Sequence, residues 1–267
     1  MNRLLLLLFI GTSTLSWAQE IMPETPKWQG KFEQLDQMLP TPNEYRTGSG
    51  SPGPKYWQQR ADYVINAELN DVNASLTGSE TITYYNNSPD VLKYLWLQLD
   101  QNINTKDNLT TKTDTYSVKD SVSTNEMASE LGLYDFEGGH KIKSIKDATG
   151  KTLPYTINAT MMRIDLPQPL AAGQKYVFSI EWSYNVPDRM RGGSRNDSRS
   201  GYENFPEDNN NLYLIAQWFP RMCVYDDVVG WQNKQFLGQG EFTLTFGDYT
   251  VNITVPSDHI IAATGMV

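Results

Sequence analysis

One cysteine and two histidines in 267 residues exclude much chemistry at the outset. The single thiol, Cys223, leaves no internal disulfide framework and no cysteine-rich zinc site. His140 and His259 stand in no H-E-x-x-H arrangement, and a zinc site using both would need a long-range meeting of unrelated segments. Each is expected to be a surface or strand-end imidazole, and Cys223 a small buried apolar residue. Neither a G-x-S-x-G elbow nor a G-x-x-x-x-G-K-[ST] phosphate loop occurs. Positive charge is also short. The net charge is −9, so phosphate backbones would be repelled and no nucleic-acid partner is expected. No apolar run approaches the roughly 20 residues of a membrane-spanning helix, so no transmembrane anchor is expected.

What is present begins with an address. Arg3 precedes an apolar run over residues 4–10, and Ser16-Trp17-Ala18 offers a small-x-small cleavage site before Gln19. Residues 1–18 therefore read as a signal peptide cut near Ala18, giving an exported product, periplasmic or secreted. Residues 19–55 form a leader rich in Pro, Gly, Gln and Ser. Within it, the spacing of Trp28, Phe32, Leu35 and Leu39 predicts one short amphipathic helix, and residues 48–54 read as a linker.

From residue 56 onward, period-two alternation dominates. Tyr63, Ile65, Ala67 and Leu69 share one face; Tyr176, Phe178, Ile180, Trp182 and Tyr184 share another; Tyr249, Val251, Ile253 and Val255 repeat the pattern. Such strands bury one face and wet the other, as antiparallel sheets allow. Turn residues at 86–90, 147–150, 171–174 and 247–248 separate the runs as hairpin signals would. Residues 56–267 are thus expected to form an all-β, antiparallel sandwich or saddle of roughly a dozen strands. The polar stretch 102–138 reads as long loops with one helical turn near Met127.

The chemically informative block spans residues 212–231, LYLIAQWFPRMCVYDDVVGW. A short strand at 212–216 leads into Gln217, Trp218, Phe219 and Pro220. The Gln217 amide can hydrogen-bond a ligand amine or carbonyl without titrating, or be buried against backbone. Asp226-Asp227 is solvated or caps a turn, or else ligates calcium or zinc or does acid-base work with partners the sequence does not reveal. Arg189, Arg191, Arg195 and Arg199 form a solvated loop, or recognise an anion.

Three blocks in order then resemble the N-terminal β domain of aminopeptidase N-type (gluzincin) zinc metallopeptidases, most closely the secreted bacterial branch. The first is a hairpin carrying Leu76, Gly78, Ile82, Tyr84 or Tyr85, Asn86 or Asn87, and Ser88. The second is the Phe219-Pro220 step. The third is Val255-Pro256 followed by Ala262 to Gly265. The resemblance implies a saddle-like noncatalytic domain that shapes a peptide substrate pocket and docks to a separate zinc-binding catalytic domain. That domain's H-E-x-x-H and G-x-M-E-N-like loop are absent here. The chain is therefore expected to be the leading part of such an enzyme, with no cofactor of its own, no catalytic residue, no metal ligand and no activity alone. Gln217 becomes the candidate for the substrate amino end, and Trp218, Phe219, Pro220 and Trp231 become the candidates for domain docking. The alternative is a free-standing binding module for peptide or glycan, using Trp218 and Trp231 as an aromatic platform.

Overall fold

Alternation in the sequence becomes alternation of burial in the computed structural model. It describes residues 42–113, 121, 123–125, 127, 136–189, 200–208, 210–238, 240 and 243–266. The expected signal peptide, the helix at residues 28–39, and Arg191, Arg195 and Arg199 lie outside the described residues, as do residues 128–131 of the expected helical turn. At that turn's start, the Met127 N–H donates to the Ser123 carbonyl at 2.9 Å.

The strands are β1 (Arg60–Asn70), β2 (Ser75–Tyr85), β3 (Leu92–Gln98), β4 (Lys141–Asp147), β5 (Tyr155–Asn158), β6 (Met161–Leu170) and β7 (Lys175–Asn185). After them come β8 (Gly201–Phe205), β9 (Asn210–Leu214), β10 (Arg221–Met222), β11 (Tyr225–Asp226), β12 (Gly230–Trp231) and β13 (Tyr249–Thr254). A 3-10 turn (Asp100–Asn104) and a five-residue α1 (Leu109–Thr113) interrupt them. One sheet has the order β13-β1-β2-β7-β4 and the other β10-β3-β6-β5, while β8–β9 and β11–β12 form small ribbons.

The two large sheets face each other over one apolar cluster. β1 contributes Ala61, Tyr63, Ile65 and Leu69, and β7 contributes Phe178, Ile180, Trp182 and Tyr184. Leu95 and Leu97 of β3 and Met162 and Ile164 of β6 face them from the second sheet. These are the β1 and β7 faces that the alternation marks, and burying each large side chain contributes about 1.5–3 kcal/mol. Gly78 lies opposite Trp182 on β2, where a Cβ would come within 2.3 Å of the indole ring. The glycine makes room for the ring.

Three expectations need correction. The turn at 147–150 does close a hairpin, with Lys146 bridged to Thr152 and the Asp147 N–H donating to the Lys151 carbonyl at 2.9 Å. Those at 86–90 and 171–174 do not, since each carries the chain from one large sheet to the other. Asn86 shows why. Its buried amide Nδ2 donates to the carbonyls of Asp90 at 2.7 Å and Leu170 at 3.0 Å. Its Oδ1 accepts from Gln59 Nε2 at 3.0 Å and from Ser88 Oγ at 2.6 Å. One side chain thus ties two crossovers together.

The second correction concerns β13. It joins β1 in parallel, with Tyr63 opposite Tyr249 and Glu68 opposite Thr254, in a sheet otherwise antiparallel. No hairpin precedes it: residues 243–246 make isolated bridges through Leu244 to Cys223 and through Phe246 to Arg60. Gly247 then passes so close to β1 that a Cβ would fall 1.7 Å from the Ala61 carbonyl oxygen. The expected buried face of β13 is also exposed, from 47% at Tyr249 to 36% at Ile253, because among the described residues β13 has a strand neighbour on one side only.

Third, residues 43–55 are not a free linker. The Thr47 N–H donates to the Ser51 carbonyl and the Gly53 N–H to the Tyr45 carbonyl, closing a tight loop. Arg46 grips Asp227 through Nε at 2.8 Å and Nη2 at 2.8 Å, and the Asp227 carboxylate is almost fully covered.

Candidate functional site

The segment after β9 lies across the five-stranded sheet. Trp218 packs beside Trp182 at 5.9 Å between ring centroids and beside Phe219 at 4.9 Å. Phe219 meets Tyr63 edge-on at 5.7 Å, and Tyr63 stacks on Tyr249 at 4.7 Å with an interplanar angle of 7°. Pro220 is buried, while Gln217, Trp218 and Phe219 are half-buried. Trp231 sits apart from this group, stacked on Tyr84 at 6.1 Å and packed on Tyr225 at 5.1 Å. The structure therefore brings Gln217, Trp218, Phe219 and Pro220 together and leaves Trp231 in a second aromatic group.

Gln217 has φ of 51°, a left-handed conformation uncommon outside glycine, asparagine and aspartate. The neighbours that hold it there were not singled out in the sequence. Buried Gln101 donates from Nε2 to the carbonyls of Ala216 at 2.9 Å and Gln217 at 3.3 Å. Asn104 Nδ2 in turn donates to Gln101 Oε1 at 3.2 Å. Next to them, the Arg221 guanidinium bonds Asp100 Oδ2, through Nε at 3.0 Å and also through Nη2, and bonds Gln98 Oε1 at 3.3 Å. Burial pushes the Asp100 carboxyl up, more than Arg221 holds it down. A signal for these residues existed. Gln98, Asp100 and Gln101 break an otherwise apolar run, Leu95-Trp96-Leu97, and Arg221 directly follows the Phe-Pro step.

The remaining candidates resolve into structural roles. Asp226 Oδ1 accepts from the N–H groups of Val228 at 3.0 Å and Val229 at 2.9 Å, a turn cap. Cys223 is fully buried, and burial raises its thiol well above the ordinary range. Arg189 pairs with Glu203 at 3.0 Å. His140 is a strand-end imidazole, directly before β4, and not a surface one. Its ring is buried, edge-on to Trp182 at 5.6 Å and Tyr184 at 5.3 Å, with no hydrogen-bond partner for either nitrogen among the described residues. Burial alone takes it down to about 3. His259 donates or accepts at Nδ1 with Asp258 at 2.9 Å, and its Nε2 lies 3.9 Å from Asp71. Among the described residues no three His, Cys, Asp or Glu side chains form a metal-binding group, so the described residues do not fit zinc.

A cleft of about 220 Å³ opens beside the second aromatic group. Tyr56, Trp57, Gln58, Tyr225, Thr243 and Phe246 are among its walls. Trp57 stacks on Tyr225 at 5.8 Å, and the Arg46 guanidinium lies over the Tyr56 ring at 5.1 Å.

No protein-family model and no curated protein matches the sequence. Solved structures do. An M1 zinc metallopeptidase mutant from Deinococcus radiodurans bound to a Tyr-Ser-Ala substrate is 12% identical, with a TM-score of 0.40 over 78% of this chain and 35% of that one. A two-domain M1 zinc metallopeptidase mutant bound to L-tryptophan is 13% identical, with a TM-score of 0.39 over 81% of this chain and 37% of that one. The M1 zinc metallopeptidase from Deinococcus radiodurans gives 13% identity and a TM-score of 0.38 over 80% of this chain and 36% of that one. The chain thus spans about a third of the length of these structures. The all-β sandwich assignment rests on the strand pairing above.

Proposed function

We propose that this chain is the noncatalytic N-terminal β domain of an exported zinc metallopeptidase of the aminopeptidase N type, and that it walls the substrate pocket. The observation that carries this reading is the Gln217–Pro220 turn, where a strained glutamine is fixed by buried Gln101 on an aromatic bed. A backbone held in a sparsely populated conformation by its surroundings is a feature of functional sites. In the proposed role, the neutral Gln217 amide meets the amino end of a peptide substrate, and Trp218 and Phe219 border the surface that docks a catalytic domain. The partner domain would hold the zinc, which would supply activated water for hydrolysis there. This chain's part is to position the substrate, which lowers the entropic cost of reaching the reactive geometry.

The test uses the purified full chain, with metal content and release of a chromogenic amine as readouts. Expected are no tight stoichiometric zinc and no turnover alone, and turnover once a separately expressed H-E-x-x-H polypeptide from the same source is added. With that mixture, Gln217→Ala should raise KM for aminoacyl substrates. One equivalent of retained zinc with chelator-sensitive turnover by the chain alone would refute the proposal.

One observation favours the second reading, a module that binds peptide or glycan: the cleft between Trp57 and Phe246. Its stacked rings and amide and hydroxyl walls suit a small polar ligand with an apolar face. Titration with oligosaccharides and short peptides, read by tryptophan fluorescence in wild type and Trp57→Ala, separates the two.

A further inference from the structure

Three segments far apart in the chain meet at His259. The residue follows β13 in a turn, with its backbone N–H donating to the Pro256 carbonyl at 3.1 Å. Its side chain is 10% exposed and packs on Tyr213 of β9, with ring centroids 5.9 Å apart. Asp71, in the turn between β1 and β2, reaches the same place. Tyr213 Oη donates to Asp71 Oδ1 at 2.5 Å, and Asn211 Nδ2 donates to the same oxygen at 2.8 Å.

The two ring nitrogens meet two different carboxylates. Nδ1 lies 2.9 Å from Asp258 Oδ1, and Nε2 lies 3.9 Å from Asp71 Oδ1. An ionised carboxylate only accepts, so the hydrogen of a neutral ring belongs on Nδ1. Nε2 is then an acceptor held near another acceptor, buried and without a hydrogen-bond partner among the described residues. A proton on Nε2 turns that contact into a charge-assisted donor–acceptor pair. The groups facing the ring are Asp71 from the β1–β2 turn, Tyr213 from β9 and Asp258 from its own segment. Hydrogen bonds from Tyr213 and then Asn211 hold the Asp71 carboxyl below its ordinary value. Asp71 therefore stays ionised at the pH where an imidazole ordinarily takes up its proton.

We propose that His259 is an acid-set staple. Protonated, it bridges Asp71 and Asp258 and fixes the segment after β13 to the β1–β2 turn and to β9. Neutral, it holds only its neighbour Asp258. The stabilisation is present while the ring carries its proton and is lost as pH rises and the proton leaves. β9 leads through residues 215–216 into Gln217, so the staple steadies the strand from which the Gln217–Pro220 turn hangs. All of its members lie within this chain, so the staple needs no free sheet edge and is independent of the metallopeptidase reading.

Urea unfolding of the full chain at about pH 5.5 and about pH 8, on either side of an ordinary imidazole titration, tests it through a double-mutant cycle. The variants are Asp71→Asn, His259→Gln and the two together. Asparagine keeps an oxygen for Tyr213 and Asn211, so the cycle isolates the charge contact. At the lower pH the coupling should change the unfolding equilibrium about fivefold, and at the higher pH about twofold at most. Hydrogen exchange at the His259 amide reads the same segment locally. Corrected for the intrinsic rate, its opening should become about fivefold rarer from the higher pH to the lower in wild type, and should stay within about twofold in Asp71→Asn. Coupling that is equal at both pH values overturns the proposal, because hydrogen bonding without charge would account for it. So does a cycle with Asp258→Asn that carries the whole pH dependence, since a bond between adjacent residues staples nothing.

Discussion

Two buried ionisable side chains should give this fold opposing responses to pH. Glu80 projects from the middle of β2 into the core face, 1% exposed, with neither carboxylate oxygen bonded among the described residues. Burial pushes its carboxyl well above the ordinary value. The folded chain therefore keeps the proton that the unfolded chain releases above about pH 4.3. Stability is full below that point and falls by about 1.4 kcal/mol per pH unit above it, until the folded value is passed. His140 runs the other way. It stays neutral in the fold down to about 3, while the unfolded chain protonates it below about 6.5. Its contribution is present above pH 6.5 and is lost at about 1.4 kcal/mol per unit as pH falls toward the folded value. Above about pH 4.3, and up to the folded value of Glu80 or about 6.5, whichever comes first, the two slopes offset each other. Glu80→Gln removes one slope and His140→Phe the other. Relative to wild type, Glu80→Gln should gain about 1.4 kcal/mol for each unit that pH rises within this window. His140→Phe should gain about as much for each unit that pH falls. Urea unfolding at half-unit pH steps measures both differences, and background titrations cancel in the comparison. A Glu80→Gln difference that is constant across the window would refute the buried, neutral carboxyl.

Trp182→Ala removes a ring packed against Trp218, Tyr184 and His140 and should cost about 3–5 kcal/mol. Glu181→Ala, on the wet face beside Lys143 at 3.4 Å, should stay within about 0.5 kcal/mol. Equal shifts in melting midpoint for the two would contradict the facing of β7. Asn86→Ala strands the carbonyl of Leu170 and the buried Ser88 hydroxyl, and should cost about 2–4 kcal/mol in denaturant unfolding. A loss below about 0.5 kcal/mol would mean that the two crossovers are held by something else.

Much of the fold was legible where the cause is local. Period-two burial on β1 and β7 follows from side-chain alternation alone, so the sequence marks Tyr63 and Trp182 as inward-facing. Sheet membership was not legible at the turns. Asn86 looks like a hairpin turn residue until its amide is seen reaching Leu170, a partner 84 positions away. The exposure of Val251 and Ile253 was equally hidden, because alternation reports a two-sided strand and says nothing about whether the sheet continues past it. At the candidate site the type of Gln217 was legible, and its left-handed backbone was not. That conformation depends on Gln101, which interrupts an apolar run without revealing the Ala216 carbonyl, 115 positions away, that it meets. Glu80 did carry a signal, being the one acid in the core-facing set Leu76, Gly78, Glu80, Ile82 and Tyr84.

The parallel pairing of β1 with β13 also has a mechanical consequence. The two strands point the same way, with the chain entering at Arg60 and leaving at Thr254. A stretching force applied at these two points pulls the strands past each other along their length. All six register pairs from Tyr63–Tyr249 to Glu68–Thr254 then resist together, whereas a hairpin pulled from its open end gives way one rung at a time. Tension along the chain meets a shear clamp before it reaches the hydrophobic core.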